Sequence, residues 1–243
     1  MPDWLTARPI AHRGLHDAAD GVIENTATAF EAAIAGNYAI ECDLQLSADG
    51  EAMVHHDDVL GRLTDGAGRL DAMPAAELKR VAFKATTDHM LTLGELCALV
   101  SGRTALVIEL KSRFDGDARL PRRVASVLQG YTGSAAVMSF DPGQITAMRD
   151  FSPELLRGLV TMRPNNANER NHSAASAPRF MLQALAARLQ FLAYRVRDLS
   201  SPVPVFARNV LGLPLLTWTV RTAEDRARAA RYADQIIFEG FRP

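Results

Sequence analysis

Short runs rich in β-forming residues alternate with helical runs along almost the whole chain. Buried-strand patterns lie at 38–46, 104–110 and 214–220, and helical patterns separate such runs. Strands that alternate with helices form βαβ units and a parallel sheet. About eight units in a chain of 243 residues favour a (β/α)8 TIM barrel over an open doubly wound sheet. We therefore predict an α/β protein whose residues 1–243 form a single barrel domain.

One segment interrupts this alternation. Residues 57–90 are polar and rich in turn formers, with one short helical pattern near 75–83. Because the segment breaks the rhythm of strands and helices, we interpret it as an insertion. We expect it to cover the C-terminal rim of the barrel.

Composition and charge exclude several classes of protein. The formal net charge of -1 gives no electrostatic basis for a nucleic-acid or acidic-membrane partner. The chain lacks both the run of about 18 apolar residues that a transmembrane helix needs and a signal-peptide pattern. Its two cysteines, Cys42 and Cys97, form no CxxC pair and suit a reducing compartment. We expect a cytoplasmic protein without stable membrane insertion, and the oligomeric state stays open.

Two carboxylates stand two residues apart in the second predicted strand. Glu41 and Asp43 flank Cys42 within an otherwise apolar run. Because strand side chains alternate between faces, both acids point one way and the thiol points towards the helical layer. Like charges directed into an interior persist there if they are protonated, paired with cations or bound to a metal ion. The alternative is a short edge strand with both acids in water.

A third carboxylate has a partner at the same spacing. Glu109 and Lys111 lie two residues apart at the end of another predicted strand, so their side chains share a face. Glu41, Asp43 and Glu109 can then converge from neighbouring strands. An all-oxygen ligand set suits Mg²⁺ or Ca²⁺ rather than zinc. The alternative is a mutual salt bridge between Glu109 and Lys111.

Further polar residues lie at the carboxyl ends of predicted strands, where barrels place their active sites. His12 and His56 are candidate acid and base groups, since histidine titrates near neutral pH. His55 alternates away from His56, so we expect it to face the outer layer or solvent. The planar guanidinium of Arg13 suits phosphate oxygens. Trp218 is a candidate for stacking on a small polyol, although a core tryptophan is the commoner case.

Together these side chains match phosphoryl chemistry. Cations stabilise the negative charge that develops at phosphorus, and an acid protonates the leaving oxygen. The sequence contains no Gly-x-Ser-x-Gly elbow, so serine-hydrolase chemistry has no support. It also contains no G-x-G-x-x-G after the first strand and no Walker A loop, which weakens a nucleotide-binding alternative.

Five blocks, in their order and spacing, resemble the glycerophosphodiester phosphodiesterase family. They are Ala11-His-Arg-Gly14, Glu24-Asn-Thr26, Glu41-x-Asp43, His56-Asp57 and Glu109-x-Lys111. Ser139-Phe140 and Trp218-Thr-Val220 resemble the family's later motifs, and the likeness extends over about 10–237. It implies a (β/α)8 barrel with an insertion after the His-Asp block. It also implies hydrolysis of glycerophosphodiesters, which are small-molecule substrates, to sn-glycerol 3-phosphate and an alcohol.

The same resemblance implies a role for each site residue. It implies that the substrate's own glycerol hydroxyl attacks phosphorus and that the resulting cyclic phosphate is then hydrolysed. The implied ligands of a Mg²⁺ or Ca²⁺ ion are Glu41, Asp43 and Glu109, and the implied acid/base pair is His12 and His56. By the same resemblance Arg13 contacts the phosphate and Lys111 supports the metal-phosphate site; with Trp218, the stacking candidate, they are the predicted substrate-binding residues.

Two departures from the family pattern leave the substrate open. The last strand of the family usually ends in Thr-Asp followed closely by Pro, whereas here Phe238 is followed by Glu239 and Gly240. The segment 163–178 is unusually rich in asparagine. The alternatives are a phosphodiesterase acting on a lysophospholipid or sugar phosphodiester, and a non-catalytic binding barrel.

Overall fold

Eight parallel strands close into a barrel in the computed structural model, which describes residues 2–164, 182 and 184–243. The barrel strands are β1 (Ile10–Ala11), β2 (Ala39–Leu46), β6 (Leu106–Leu110), β7 (Ala135–Ser139), β8 (Leu156–Thr161), β9 (Phe191–Arg195), β10 (Leu215–Val220) and β11 (Gln235–Phe238). They pair in chain order, and β1 closes the barrel by pairing with both β2 and β11. The predicted TIM barrel is confirmed.

Helices connect the barrel strands. They are α1 (Ala27–Ala35), α2 (Ala75–Leu78), α3 (Leu93–Val100), α4 (Arg119–Leu128), α5 (Pro142–Phe151), α6 (Pro202–Asn209) and α7 (Ala223–Tyr232). Thr26 and Thr92 cap α1 and α3 with their side chains, which satisfies backbone N–H groups that have no partner inside a helix. No helix in the described residues is long and apolar enough to cross a bilayer.

Two apolar layers follow from the alternation of strand side chains. One set of residues fills the barrel, among them Ile10, Val107, Phe191, Leu216 and Ile237. The other lies between the strands and the helices, and it includes Cys42 together with Phe30 of α1 and Leu93 of α3. The thiol of Cys42 therefore faces the helical layer, as predicted. Its neighbours Glu41 and Asp43 point into the barrel.

Residues 57–90 follow β3 (Ala52–Val54), which pairs antiparallel with β2. They contain a two-stranded ribbon, β4 (Val59–Leu60) with β5 (Gly68–Arg69), and a separate apolar cluster around Met53, Leu70 and Phe83. The predicted helix at 75–83 ends at Leu78, because Phe83 makes an extended bridge to Thr64 instead. The assignment of this segment as an insertion, and of 1–243 as one domain, stays a prediction.

Candidate active site

A cavity of about 500 Å³ opens at the carboxyl ends of the barrel strands. Asp43 is buried beside Lys111 in the cavity wall. The other predicted site residues line the cavity directly: His12, Arg13, Glu41, His56, Glu109, Lys111 and Trp218. The structure therefore brings together all of the predicted site residues.

The three predicted metal ligands form a compact buried cluster. Glu41 and Asp43 are each 1% exposed and Glu109 is 8% exposed, so the alternative of an edge strand in water is wrong. Asp43 lies opposite Glu109 in the register of β2 with β6. One oxygen from each carboxylate lies within 4.8 Å of the others.

Two buried oxygens of this cluster, Glu41 Oε1 and Asp43 Oδ1, have no hydrogen bond among the described residues. Asp43 Oδ1 lies in an ion pair with Lys111, whereas Glu41 Oε1 has no donor, although Glu41 Oε2 accepts from the backbone N–H of Arg13 at 2.9 Å. A buried acceptor without a partner is costly. A hard divalent cation, which prefers several carboxylate oxygens, would satisfy it. The residues present therefore fit the cation that the acidic pattern predicts.

Two cations partly neutralise the carboxylates. Lys111 Nζ lies 2.5 Å from Glu109 Oε1 and 2.7 Å from Asp43 Oδ1, and Arg13 Nε lies 3.1 Å from Asp43 Oδ2. The salt bridge considered for Glu109 and Lys111 is thus present. Burial opposes ionisation of Asp43, but Lys111 and Arg13 outweigh it and lower the pKa of Asp43.

The pKa of Glu41 shifts in the opposite direction to that of Asp43. Burial, followed by repulsion from Asp43 and Glu109, raises the pKa of Glu41 well above its ordinary value. The raised pKa favours the protonated form of Glu41. A bound divalent ion would instead favour its ionised form.

A tight turn after β1 presents His12 and Arg13 to the cavity. Arg13 has a φ of 56° and Gly14 has a φ of 79°. A Cβ at position 14 would lie 2.8 Å from the backbone carbon of Ala29, so the position requires glycine on both counts. Arg13 Nη1 donates to Glu24 Oε1 at 2.7 Å, and this bond helps to hold the guanidinium beside Asp43 of β2.

Asn25 holds Asp43 from behind. Its Nδ2 donates to Asp43 Oδ2 at 2.9 Å, and the backbone N–H of Asp43 donates to Asn25 Oδ1 at 3.3 Å. Asn25 is fully buried, with a φ of 59° that asparagine tolerates better than most residues. Asn25 lies within the Glu24-Asn-Thr26 block, but its sequence pattern alone does not predict this contact.

His12 forms a pair with a carboxylate from the other end of the chain, which the closure of the barrel brings next to it. His12 Nδ1 lies 2.5 Å from Glu239 Oε2, and Arg221 Nε donates to Glu239 Oε1 at 2.6 Å. His12 Nε2 lies 4.0 Å from Glu41 Oε2. Burial lowers the pKa of His12 even though Glu239 acts against it. In the sequence, Glu239 stands out only as a departure from the family pattern.

His56 forms a second pair of the same kind. Its Nδ1 lies 2.7 Å from Asp57 Oδ1, and Arg62 Nε donates to Asp57 Oδ2 at 2.6 Å. Arg62 also donates to Glu24 and so ties residues 57–90 to the loop before α1. Nothing in the sequence marks Arg62, because an arginine in a polar segment usually lies in solvent.

Comparison with known proteins agrees with this geometry. The model of the glycerophosphoryl diester phosphodiesterase family matches residues 12–238. The chain belongs to this family. This membership confirms the resemblance found in the motifs and the expectation of a phosphodiesterase enzyme.

Individual relatives cover different shares of the chain. A glycerophosphodiester phosphodiesterase of Caldanaerobacter subterraneus is 30% identical over 161 residues, or 62% of this chain and 65% of that protein. The chain thus spans just under two thirds of that relative. Glycerophosphodiester phosphodiesterase 1 of Bos taurus is 26% identical over 90% of this chain and 73% of its own length. A phosphodiesterase of Oleispira antarctica, solved in complex with the product sn-glycerol-3-phosphate, is 22% identical with a TM-score of 0.77, covering 95% and 91% of the two chains.

In this family member, Trp218 both lines the cavity and packs against the barrel core. Its ring lies 5.4 Å from that of Phe140, nearly perpendicular to it, and both pack on the apolar filling of the barrel. Trp218 Nε1 is buried without a hydrogen-bond partner among the described residues. The ring therefore offers a flat apolar face with one unused donor.

His55 alternates away from His56, as predicted. We expected it to face the outer layer or solvent, and the solvent alternative is wrong. His55 is 2% exposed, and its ring lies 6.3 Å from that of Phe83. Residues 57–90 bury it, and strand alternation alone does not reveal that cover. Most of the asparagine-rich segment 163–178 lies outside the described residues.

Proposed function

We propose that this protein hydrolyses glycerophosphodiesters to sn-glycerol 3-phosphate and an alcohol, with a divalent cation and two histidines. The observation that carries the proposal is the convergence, in one cavity, of three buried carboxylates and two histidine–carboxylate pairs. Family membership and the names of the relatives support the substrate class.

Glu41, Asp43 and Glu109 would hold the cation. When bound, it would polarise the phosphoryl oxygens and offset the negative charge that accumulates at phosphorus. The oxygen-only ligand set favours Mg²⁺ or Ca²⁺. Arg13 and Lys111 add fixed positive charge beside the same position, where it would stabilise the charge that develops at phosphorus.

The two histidines supply the proton transfers. Each uses Nδ1 to contact a carboxylate, so each keeps Nε2 for exchange with the substrate. One imidazole takes the proton of the attacking glycerol hydroxyl, while the other, protonated, gives a proton to the departing alcohol. In the second step water attacks the cyclic ester and the two histidines exchange roles. Both are then returned to their starting states.

Removal and return of the cation test this proposal. Chelation is expected to abolish release of sn-glycerol 3-phosphate and choline from glycerophosphocholine, and added Mg²⁺ or Ca²⁺ to restore it. Glu41→Gln is expected to remove activity at every cation concentration. Glu31→Gln, on the exposed face of α1, is the matched control and should retain it. Full turnover after chelation, or in Glu41→Gln, would overturn the metal assignment.

A further inference from the structure

We propose that Glu239, held by Arg221, is a positioning residue that fixes the tautomer and orientation of His12. This inference rests on the proposed function, since it assigns how one of its two histidines is held. It gives a role to the carboxylate that replaces the usual Asp at the end of the last barrel strand.

The backbone already places the two residues side by side. The N–H of His12 donates to the carbonyl of Phe238 at 2.9 Å, and the N–H of Glu239 donates to the carbonyl of Val220 at 3.1 Å. These bonds continue the pairing of β11 with β1 on one side and with β10 on the other. The pair is therefore built on the seam that closes the barrel.

The carboxylate of Glu239 is held in a defined orientation. Its Oε2 lies 2.5 Å from His12 Nδ1 and its Oε1 accepts from Arg221 Nε at 2.6 Å, so each oxygen has its own partner. His16 Nε2 lies 3.8 Å from Oε2 and adds a third polar neighbour. Burial opposes ionisation, yet His12, His16 and Arg221 outweigh it and lower the pKa of Glu239. The group is thus held as a carboxylate, which only accepts hydrogen bonds.

A fixed acceptor at Nδ1 decides which nitrogen of His12 takes part in chemistry. Nδ1 keeps its proton in both charge states of the ring, and the exchangeable proton is confined to Nε2. That atom faces Glu41, 4.0 Å away. Shortening Glu239 by one methylene would withdraw the carboxylate by about 1.5 Å, so an Asp would reach Nδ1 only if the chain moved. The longer side chain suits the distance that this rim presents.

Glu239→Gln is the main test variant, because it keeps the shape but replaces one oxygen with a donor that favours the wrong tautomer. We expect kcat for glycerophosphocholine to fall about 100-fold while KM changes less than about twofold. Glu239→Asp should recover part of kcat. Glu224→Gln removes an exposed carboxylate from the first turn of α7 and should match the parent.

Two measurements separate positioning from a general effect on folding. In a His12→Ala background, Glu239→Gln should cause no further loss, because the residue acts through His12. Imidazole ¹⁵N shifts should place the proton of neutral His12 on Nδ1 in the parent and on Nε2 in Glu239→Gln. An equal loss in both backgrounds, or an unchanged tautomer, would overturn the proposal.

The outcomes also separate this inference from the proposed function. Full turnover in His12→Ala would remove the acid/base assignment of His12 itself. Loss of turnover in His12→Ala together with a parental kcat in Glu239→Gln would leave the proposed function intact and reject only the positioning role.

Discussion

Lys111 Nζ lies 2.7 Å from Asp43 Oδ1 in the wall of the cavity, where Asp43 is almost fully buried. Lys111→Met would leave that carboxylate without its principal partner. Breaking a buried ion pair is strongly destabilising, so the metal-free protein is expected to lose about 3 kcal/mol in its free energy of unfolding. Urea unfolding measures the loss, and added Mg²⁺ or Ca²⁺ should recover more stability in the variant than in the parent.

The matched control for this prediction is Lys79→Met. Lys79 pairs with Glu95 where both side chains are about one third exposed, and such pairs contribute less than about 1 kcal/mol. Equal losses in the two variants would contradict the idea that burial makes the Lys111 pair different.

Acid stability should depend on Asp57. Burial opposes its ionisation, but hydrogen bonds from Arg62 and His56 outweigh burial and lower the pKa of Asp57 to about 2 from its ordinary 3.8. Because the folded-state pKa is the lower one, this stabilisation is present above pH 3.8 and is lost as pH falls through about 2. Asp57→Asn should therefore reduce the dependence of the free energy of unfolding on pH in this range. Solvent screening reduces the expected effect to about 1 kcal/mol near neutral pH.

Unfolding followed between about pH 2 and 6 checks this expectation. Asp58→Asn is a suitable control, because its carboxylate is mostly in solvent and lies next to Asp57 in sequence. If Asp57→Asn lost stability with falling pH in the same way as the parent protein, the contact with Arg62 would contribute nothing to stability in solution.

Substitution of the adjacent residues His55 and His56 should have different effects, one on stability and the other on activity. His56→Gln removes a proposed acid/base group at the cavity and should lower kcat by about 100-fold or more with little change in melting temperature. His55→Gln alters a side chain buried near Phe83 and should lower stability by about 1–2 kcal/mol while kcat stays near the parent value. Steady-state kinetics and thermal unfolding of both variants measure this. A comparable loss of kcat in folded His55→Gln would refute the assignment.

Trp218 should contribute to substrate binding rather than to the chemical step. Trp218→Ala removes the flat wall that packs against Phe140, and we expect KM to rise about tenfold, corresponding to about 1.4 kcal/mol. Trp218→Phe keeps an apolar ring and should change KM less. The comparison requires glycerophosphocholine kinetics on protein shown to be folded. A parental KM in Trp218→Ala would assign the ring to the core alone.

The carboxylate cluster could be predicted because it depends on short-range rules. A period of two puts Glu41 and Asp43 on one face of a strand, and the same rule applies to Glu109 and Lys111. A parallel barrel then brings the carboxyl ends of its strands to one rim. The register of β2 with β6 supplies the remaining step by setting Asp43 opposite Glu109.

The long-range contacts around the histidines could not be predicted in the same way. Glu239 and Arg221 lie 18 positions apart, and Arg62 reaches Glu24 across 38 positions. Such pairs depend on how the barrel closes and on how residues 57–90 fold over the strand ends, and no local pattern encodes either. His55 shows the same limit, since strand alternation gives its direction but not the side chains that cover it.

The seam between β1 and β11 also affects when the protein becomes active during its synthesis. His12 and Glu239 are separated by 227 positions, and every other barrel strand is translated between them. A nascent chain can therefore carry all three clustered carboxylates and both histidines while one histidine still lacks its carboxylate. If Glu239 positions His12 as proposed, full catalytic competence is acquired only when the ribosome has released β11.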